Sequence, residues 1–354
     1  MSLLAAHLND AGISVLSDDR LLYREPGFAL LENDRLVTGN AALAEARLKP
    51  RHIQNHYWDQ LSTEPLVDTR FNHLSTADLV SHQLEQIWKT VADQGDKLVV
   101  AVPPYMNNDN LALFLGIASE VGAPVVAMVD AAVAATRREY RDAVPVHVDL
   151  SLHGAALTRI AQAGQAQVDR SEIVASAGLL ALYDAWLRGI AEAFVQQSRF
   201  DPLHTAETEQ LLLNRMNGWL REACGAESVT LELEYRNIQH KAELESLELI
   251  AMVAPIDQRI TNRLRALYRA GEPPALQLSD RAARLPGLAD RLGARVGGEV
   301  FLLEPGATAR GVLARCRDMH TETSGVSLIR QLPWDQSAVA LQVEQSAAAE
   351  GQPT

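Results

Sequence analysis

Lys97 to Tyr140 reads KLVVAVPPYMNNDNLALFLGIASEVGAPVVAMVDAAVAATRREY. An apolar strand runs into Val102-Pro103-Pro104-Tyr105. A polar start, Asn107-Asn108-Asp109-Asn110, then opens an amphipathic helix, because Asn and Asp side chains accept the unpaired N–H groups of a first helical turn. Pro124 to Val129 forms a second strand and leads into an alanine-rich helix, Asp130 to Ala135. Strands alternating with helices predict an α/β protein.

Upstream, residues 1 to 40 alternate short apolar runs with turn signals such as Asn9-Asp10-Ala11-Gly12 and Glu25-Pro26-Gly27, the pattern of antiparallel hairpins. Gly39 to Ala46 reads as a short helix. Residues 50 to 75 show no clear period. Thr76 to Gly95 predicts a helix capped by Ser75 or Thr76, with Leu79, Val80, Leu84, Ile87, Trp88 and Val91 on one face. Downstream, Val144 to Ile160 reads as a strand pair. Helices follow at about 178–197 and 205–223, then an alternating strand at Ser228 to Tyr235. Ala251 to Ala270 is mainly helix. Strands are expected at 276–278 and 300–303, and helices at 285–292 and 307–319.

Composition narrows the class. The chain has 354 residues, enough for two or three domains, and 47% are hydrophobic, enough for a large core. A formal net charge of −13 argues against nucleic acid or an anionic membrane as a partner, since both need a basic face. Two cysteines, Cys224 and Cys316, cannot build a disulfide framework or a cysteine zinc site. The N-terminus lacks a basic lead and a long apolar run, and no segment nears the roughly 20 apolar residues of a spanning helix. A cytoplasmic protein is expected.

The Lys97–Tyr140 segment resembles the nucleotide-binding domain of the DnaK-type heat-shock chaperones. There V-P-A-Y-F-N opens one helix and N-E-P-T-A-A-A opens the next. The order of elements is similar over residues 1 to 320. The resemblance implies an actin-like two-lobed α/β ATPase fold, with mixed sheets flanked by helices around a central cleft. The first lobe would span 1–143, with a small subdomain at about 46–96, and the second 144–320, with a small subdomain at about 200–260. Both halves begin with strand-turn-strand units and end with strand-to-helix units, as that superfamily requires.

The family grips phosphate with two glycine-rich hairpin turns, whose backbone N–H groups approach the phosphate oxygens. Its first turn, I-D-L-G-T-T-N-S, corresponds to Ala6-His7-Leu8-Asn9-Asp10-Ala11-Gly12-Ile13. His7 replaces an Asp, Asn9 the first Gly, and Asp10 with Ala11 the hydroxyl pair. An acidic Asp10 would repel phosphate unless a metal intervened. An ordinary hairpin turn, in which Asn9, Asp10 and Gly12 supply unusual backbone angles, is the favoured reading of this stretch. The second turn, D-L-G-G-G-T-F-D, corresponds to Asp149-Leu150-Ser151-Leu152-His153-Gly154-Ala155-Ala156. Asp149 stands where the family holds water on magnesium. Leu152 puts a branched side chain where backbone should meet phosphate.

Further carry-overs are partial. Asp130 matches the acid at the start of the alanine-rich helix, and a helix cap explains it as well. The adenosine turn G-G-S-T-R-I-P becomes Asp280-Arg281-Ala282-Ala283-Arg284-Leu285-Pro286, keeping Arg284. E-R-A-K-R-T-L becomes Asn214-Arg215-Met216-Asn217-Gly218-Trp219-Leu220. Gly311 lies in the match to the family's last helix motif as a packing position. The family's catalytic Lys has no counterpart between Tyr57 and Leu74. The resemblance therefore implies a pseudo-ATPase that binds another protein, with no cofactor. A vestigial cleft would be lined by His7, Asn9, Asp10, Gly12, Ser151, Gly154, Arg284 and Gly311. The alternative is an ATPase using ATP with magnesium, in which Asp149 and Asp130 would be catalytic. Among ten histidines, His52 and His56 sit four apart near Asp59, too little for a metal assignment. Val326, Leu328, Leu332 and Trp334 are too apolar for a free tail. Residues 321–344 are expected to pack on the second lobe, and 345–354 to be disordered.

Overall fold

A computed structural model describes residues 2–18, 20–32, 35–317 and 325–336. The first half opens with β1 (Leu3–His7), β2 (Ile13–Ser17) and β3 (Arg20–Glu25), then β4 (Ala29–Glu32), β5 (Arg35–Thr38), α1 (Asn40–Leu43) and β6 (Ile53–Gln54). It continues through α2 (Thr76–Val91), β7 (Lys97–Val102), α3 (Asn108–Val121), β8 (Val125–Asp130) and α4 (Ala131–Ala135). The second half opens with β9 (Val144–Leu150), β10 (Gly154–Gln162) and β11 (Gln165–Ala175), followed by α5 (Leu179–Ser198) and α6 (Ala206–Ala223). Next come β12 (Ser228–Tyr235), β13 (Ile238–Glu245), α7 (Ser246–Met252) and α8 (Ala254–Leu267). It closes with β14 (Pro274–Leu278), α9 (Asp280–Ala283), α10 (Leu288–Val296), β15 (Glu299–Leu302) and α11 (Ala307–Arg315). β16 (Leu328–Ile329) and β17 (Gln331–Pro333) end the described chain.

The protein is α/β with mixed sheets, as expected. Two six-stranded sheets run β16-β8-β7-β1-β2-β3 and β15-β14-β9-β10-β11-β17. In each, an antiparallel three-strand meander leads the half, and two parallel strands add beside its first member. β1, β2, β3, β7 and β8 thus correspond one for one to β9, β10, β11, β14 and β15. The internal symmetry expected from the sequence is a duplicated sheet topology. Among the described residues no helix is long and apolar enough to cross a membrane.

Local chemistry explains where the helices begin. Ser75 caps α2 and Asn107 caps α3, each in a reciprocal capping box with the third helical residue, Asp78 or Asn110. The expected apolar face of α2 is buried, with Trp88 packed at its edge. The helix anticipated over 251–270 is two helices, broken at Val253 because Pro255 can sit only in a first turn. The helix expected from Leu285 begins three residues later, at Leu288.

β6, β11 and β13 were not anticipated. β11 carries Asp169 and Arg170 at adjacent exposed positions and lacks a clean apolar alternation. β13 pairs with β12 through a turn at Arg236 and Asn237, both with positive φ, and no glycine marks it.

A shared core joins the halves. α4 and α11 follow equivalent strands, β8 and β15, and pack on each other. A Cβ at Gly311 would lie 1.8 Å from the Ala134 carbonyl oxygen, so the two backbones touch there. Ala131 to Ala134, Ala309 and Val312 bury into one cluster with Val129 and Ile160, residues from both sheets.

The C-terminal segment does more than expected. β16 pairs in parallel with β8, Leu328 opposite Met128. β17 pairs antiparallel with β11, Leu332 opposite Ala166. One strap of about ten residues therefore adds an edge strand to each sheet, whereas packing on the second half alone was anticipated. Leu332 is 1% exposed and sits in the shared core. Asp335 anchors the end: its carboxylate accepts from Arg137 Nε at 2.7 Å, and its N–H donates to the Arg137 carbonyl at 2.8 Å. The tail expected to be disordered, 345–354, lies outside the described residues.

Leu332→Ala is expected to lower unfolding free energy by about 2–5 kcal/mol in urea titration, the usual range for a buried Leu. A loss within the ~0.5 kcal/mol typical of surface changes would mean the strap is not part of the core.

Candidate functional site: the cleft between two hairpin turns

The β1–β2 and β9–β10 turns leave corresponding strands of the two sheets and face one another. Within the first, Asn9 Oδ1 accepts from Ala11 N–H at 2.9 Å and the Asn9 carbonyl accepts from Gly12 N–H at 2.8 Å. Within the second, Ser151 N–H donates to the Gly154 carbonyl and Gly154 N–H to Ser151 Oγ, both at 2.9 Å.

The turns also bond to each other. Asn9 Nδ2 donates to Asp149 Oδ2 at 2.8 Å and to the Leu150 carbonyl at 3.2 Å. Leu152 N–H donates to Asp10 Oδ1 at 2.8 Å. A backbone N–H already bonded inside a protein is not free to bind a ligand without breaking that bond. The N–H groups of Ala11, Gly12, Ser151, Leu152 and Gly154 are all committed in this way.

α5 closes the turn from behind. Leu179 and Leu180 donate their N–H groups to the carbonyls of Ser151 and Leu152, at 2.9 and 3.0 Å. Two donors that a helix start would offer an anion are thereby used. Gly178 permits this approach, since a Cβ there would meet Gly154 N at 2.4 Å. The Leu152 side chain is buried among Phe28, Leu30, Ala42 and Ala46 of the other half. It acts as an apolar peg across the cleft.

The centre is charged and buried. Arg281, on α9, lays its guanidinium along the Asp149 carboxylate, Nε to Oδ1 at 3.3 Å and Nη2 to Oδ2 at 3.1 Å. Both side chains are 8% exposed. Two-point contact of this kind suits the planar fork of arginine. Burial alone would raise Asp149, but Arg281, with His7 and His147 beside it, holds the carboxyl well below the usual range. Arg281 is itself raised: burial opposes its charge and the attraction of Asp149 prevails. His7 stands 3.8 Å from Asp149; burial, reinforced by Arg281, drops it to about 3. Burial also lowers His147. Both imidazoles are neutral at physiological pH. Burial raises Asp10 to about 7, although the bond from Leu152 N–H favours its charged form.

The expected site residues separate into three places. His7, Asn9, Asp10, Asp149, Ser151 and Gly154 meet at the facing turns, and Gly12 lies beside them. Asp130 caps α4, accepting from Ala132 and Val133 N–H at 2.9 and 3.2 Å, and burial raises its carboxyl. Gly311 packs on that same helix. Arg284 is half-exposed and pairs with Asp280 at 2.7 Å, away from Asp149. Arg281 is the residue that sequence reasoning missed. In the resemblance it stands at a position where the family has glycine.

Two cavities flank the turns. One of about 110 Å³ is lined by His7, His147 and Arg281. The other, about 720 Å³, lies between Arg24, Asn40 and Arg47 on one side and Tyr183, Asn214 and Asn217 on the other. No family model matches the chain, and no curated protein matches it.

Arg281→Ala is expected to cost about 3–5 kcal/mol, because it strands a buried carboxylate. Adding Asp149→Asn should recover part of that loss in the double variant. Strictly additive losses in denaturant titration would contradict a coupled pair.

Asp10 gives a pH signature. Its carboxyl is raised from 3.8 to about 7 in the fold, so the folded chain keeps a proton that the unfolded chain has released. Its contribution to stability is therefore full below pH ~4 and falls as pH rises towards ~7. Asp10→Asn removes that slope while the His7 effect, common to both proteins, cancels. The variant should gain Tm relative to the parent between pH 4 and 7.5; a constant difference would refute the assignment.

Proposed function

We propose that this chain is a degenerate DnaK-type protein with an actin-like, two-lobed architecture, that it does not hydrolyse ATP efficiently, and that it serves as a protein-binding or regulatory scaffold. The duplicated five-strand topology supports the architecture, with α4 and α11 packed at its centre. The observation that carries the functional reading is the bonding of the two turns to each other. Where the family would place phosphate oxygens and magnesium, this chain places the Asp10 carboxylate, the Leu152 side chain and the Arg281 guanidinium. A fixed guanidinium supplies the positive charge beside Asp149 and has no exchangeable coordination sites to offer a phosphate. The strap across both sheets opposes the lobe opening that a nucleotide cycle needs. What remains for such a protein is its surface, which is why the proposed partner is another protein.

A second reading keeps ATP with magnesium as a ligand. It is favoured by the 720 Å³ cleft, whose wall includes Asn214 and Asn217 on the helix that matches the family's adenosine helix. Thermal unfolding with and without ATP and magnesium separates the two. A ligand at 100 times its Kd adds about 2.7 kcal/mol. The expected result is no change in Tm and no phosphate release above background. Stabilisation of that size, with phosphate release lost on Asp149→Ala, would establish the second reading.

A further inference from the structure

His56 and His153 come from opposite halves, His56 from the loop after β6 and His153 from the β9–β10 turn. Their rings stack with centroids 3.4 Å apart and planes 17° from parallel. Asp59 sits beside them, its carboxylate oxygens 3.0 and 3.1 Å from His56 Nδ1. One ligand atom from each of the three residues lies within 4.8 Å of the others. We propose that His56, Asp59 and His153 form a binding site for a divalent transition ion of the zinc class, one that clamps the two halves together.

The donor set fits that ion. Two imidazoles and one carboxylate are the mix that zinc takes in tetrahedral sites with one open position. The 3.0 Å from His56 Nδ1 to Asp59 is a few tenths of an ångström short of the edge of a tetrahedron with bonds of ~2.0–2.2 Å, about 3.3–3.6 Å. An ion would replace the proton these two groups share. His153 is already oriented: its Nε2–H donates to the Asn55 carbonyl at 2.9 Å, which leaves Nδ1 as the lone pair. A backbone carbonyl holding the far nitrogen is the usual support for a metal-bound histidine. His56 is exposed and the other two are half-buried, so the ion has a route in. Binding requires the stacked rings to splay so that their lone pairs converge.

The sequence pointed elsewhere, pairing His56 with His52 four residues away. His52 instead donates Nδ1–H to the Leu31 carbonyl at 2.7 Å and packs its ring against Phe71. The true neighbour is 97 residues distant, in the other half. This proposal stands apart from the reading of the cleft, since it needs only the folded chain.

Tag-free, chelator-stripped full-length protein would be titrated with Zn²⁺ by calorimetry and with Co²⁺ by visible absorption. One equivalent of Zn²⁺ and the intense bands of tetrahedral Co²⁺ are expected, with Tm rising on Zn²⁺ addition. His153→Ala should abolish all three. His56→Ala changes an exposed residue and should do the same in a chain that still folds, while Asp59→Asn should weaken binding at least tenfold. Absence of Zn²⁺ binding at millimolar concentration in the parent would overturn the site. So would equal affinity in the parent and the folded His56→Ala and Asp59→Asn proteins.

Discussion

The Asp149 carboxylate is the constraint on which the cleft depends. It lies buried at the end of a strand, where an unpaired charge would cost several kcal/mol. Arg281 and Asn9 answer it from two other elements, α9 and the β1–β2 turn. Satisfying it therefore fixes three segments from both halves in one arrangement. Once they are fixed, Leu152 N–H falls to Asp10, and the Leu152 side chain reaches the cluster around Phe28. The turns close through three hydrogen bonds across the gap, two from Asn9 Nδ2 and one from Leu152 N–H.

Closure at the turns is matched by closure at the sheet edges. α4 and α11 meet through bare backbone at Gly311, which leaves little room for sliding. The strap extends one sheet through β16 and the other through β17, with only Arg330 between them. Two strands joined by a single residue tie the edges of both sheets to one short segment. The stability of the halves and their mutual orientation thus rest on the same contacts.

Much of this was legible in the sequence. The strand–helix order, the caps at Ser75 and Asn107 and the burial of Leu332 follow from local pattern and composition, and the packing of Gly311 was implied by the resemblance. The meeting of the two turns that carry Asp10 and Leu152 was expected from the resemblance. What was hidden is long-range. β11 and β13 lack the alternation or glycine turns that announce strands, and they exist because a neighbour offers an edge. Arg281 read as a damaged turn, because nothing local shows that an arginine will be buried against an acid 132 positions earlier. The crossing of the strap from one sheet to the other, and the meeting of His56 with His153, are likewise products of the folded topology.

The central claim is that the two halves are held in one orientation whatever nucleotide is present. Distance measurement by pulsed electron resonance addresses it directly, using spin labels at Lys89→Cys on α2 and Lys241→Cys on β13 in a Cys224→Ser background. A single narrow distance distribution, identical without nucleotide and with saturating ATP and magnesium, is the predicted result. A broad distribution, or a shift on adding nucleotide, would show lobes that open and close and would contradict it.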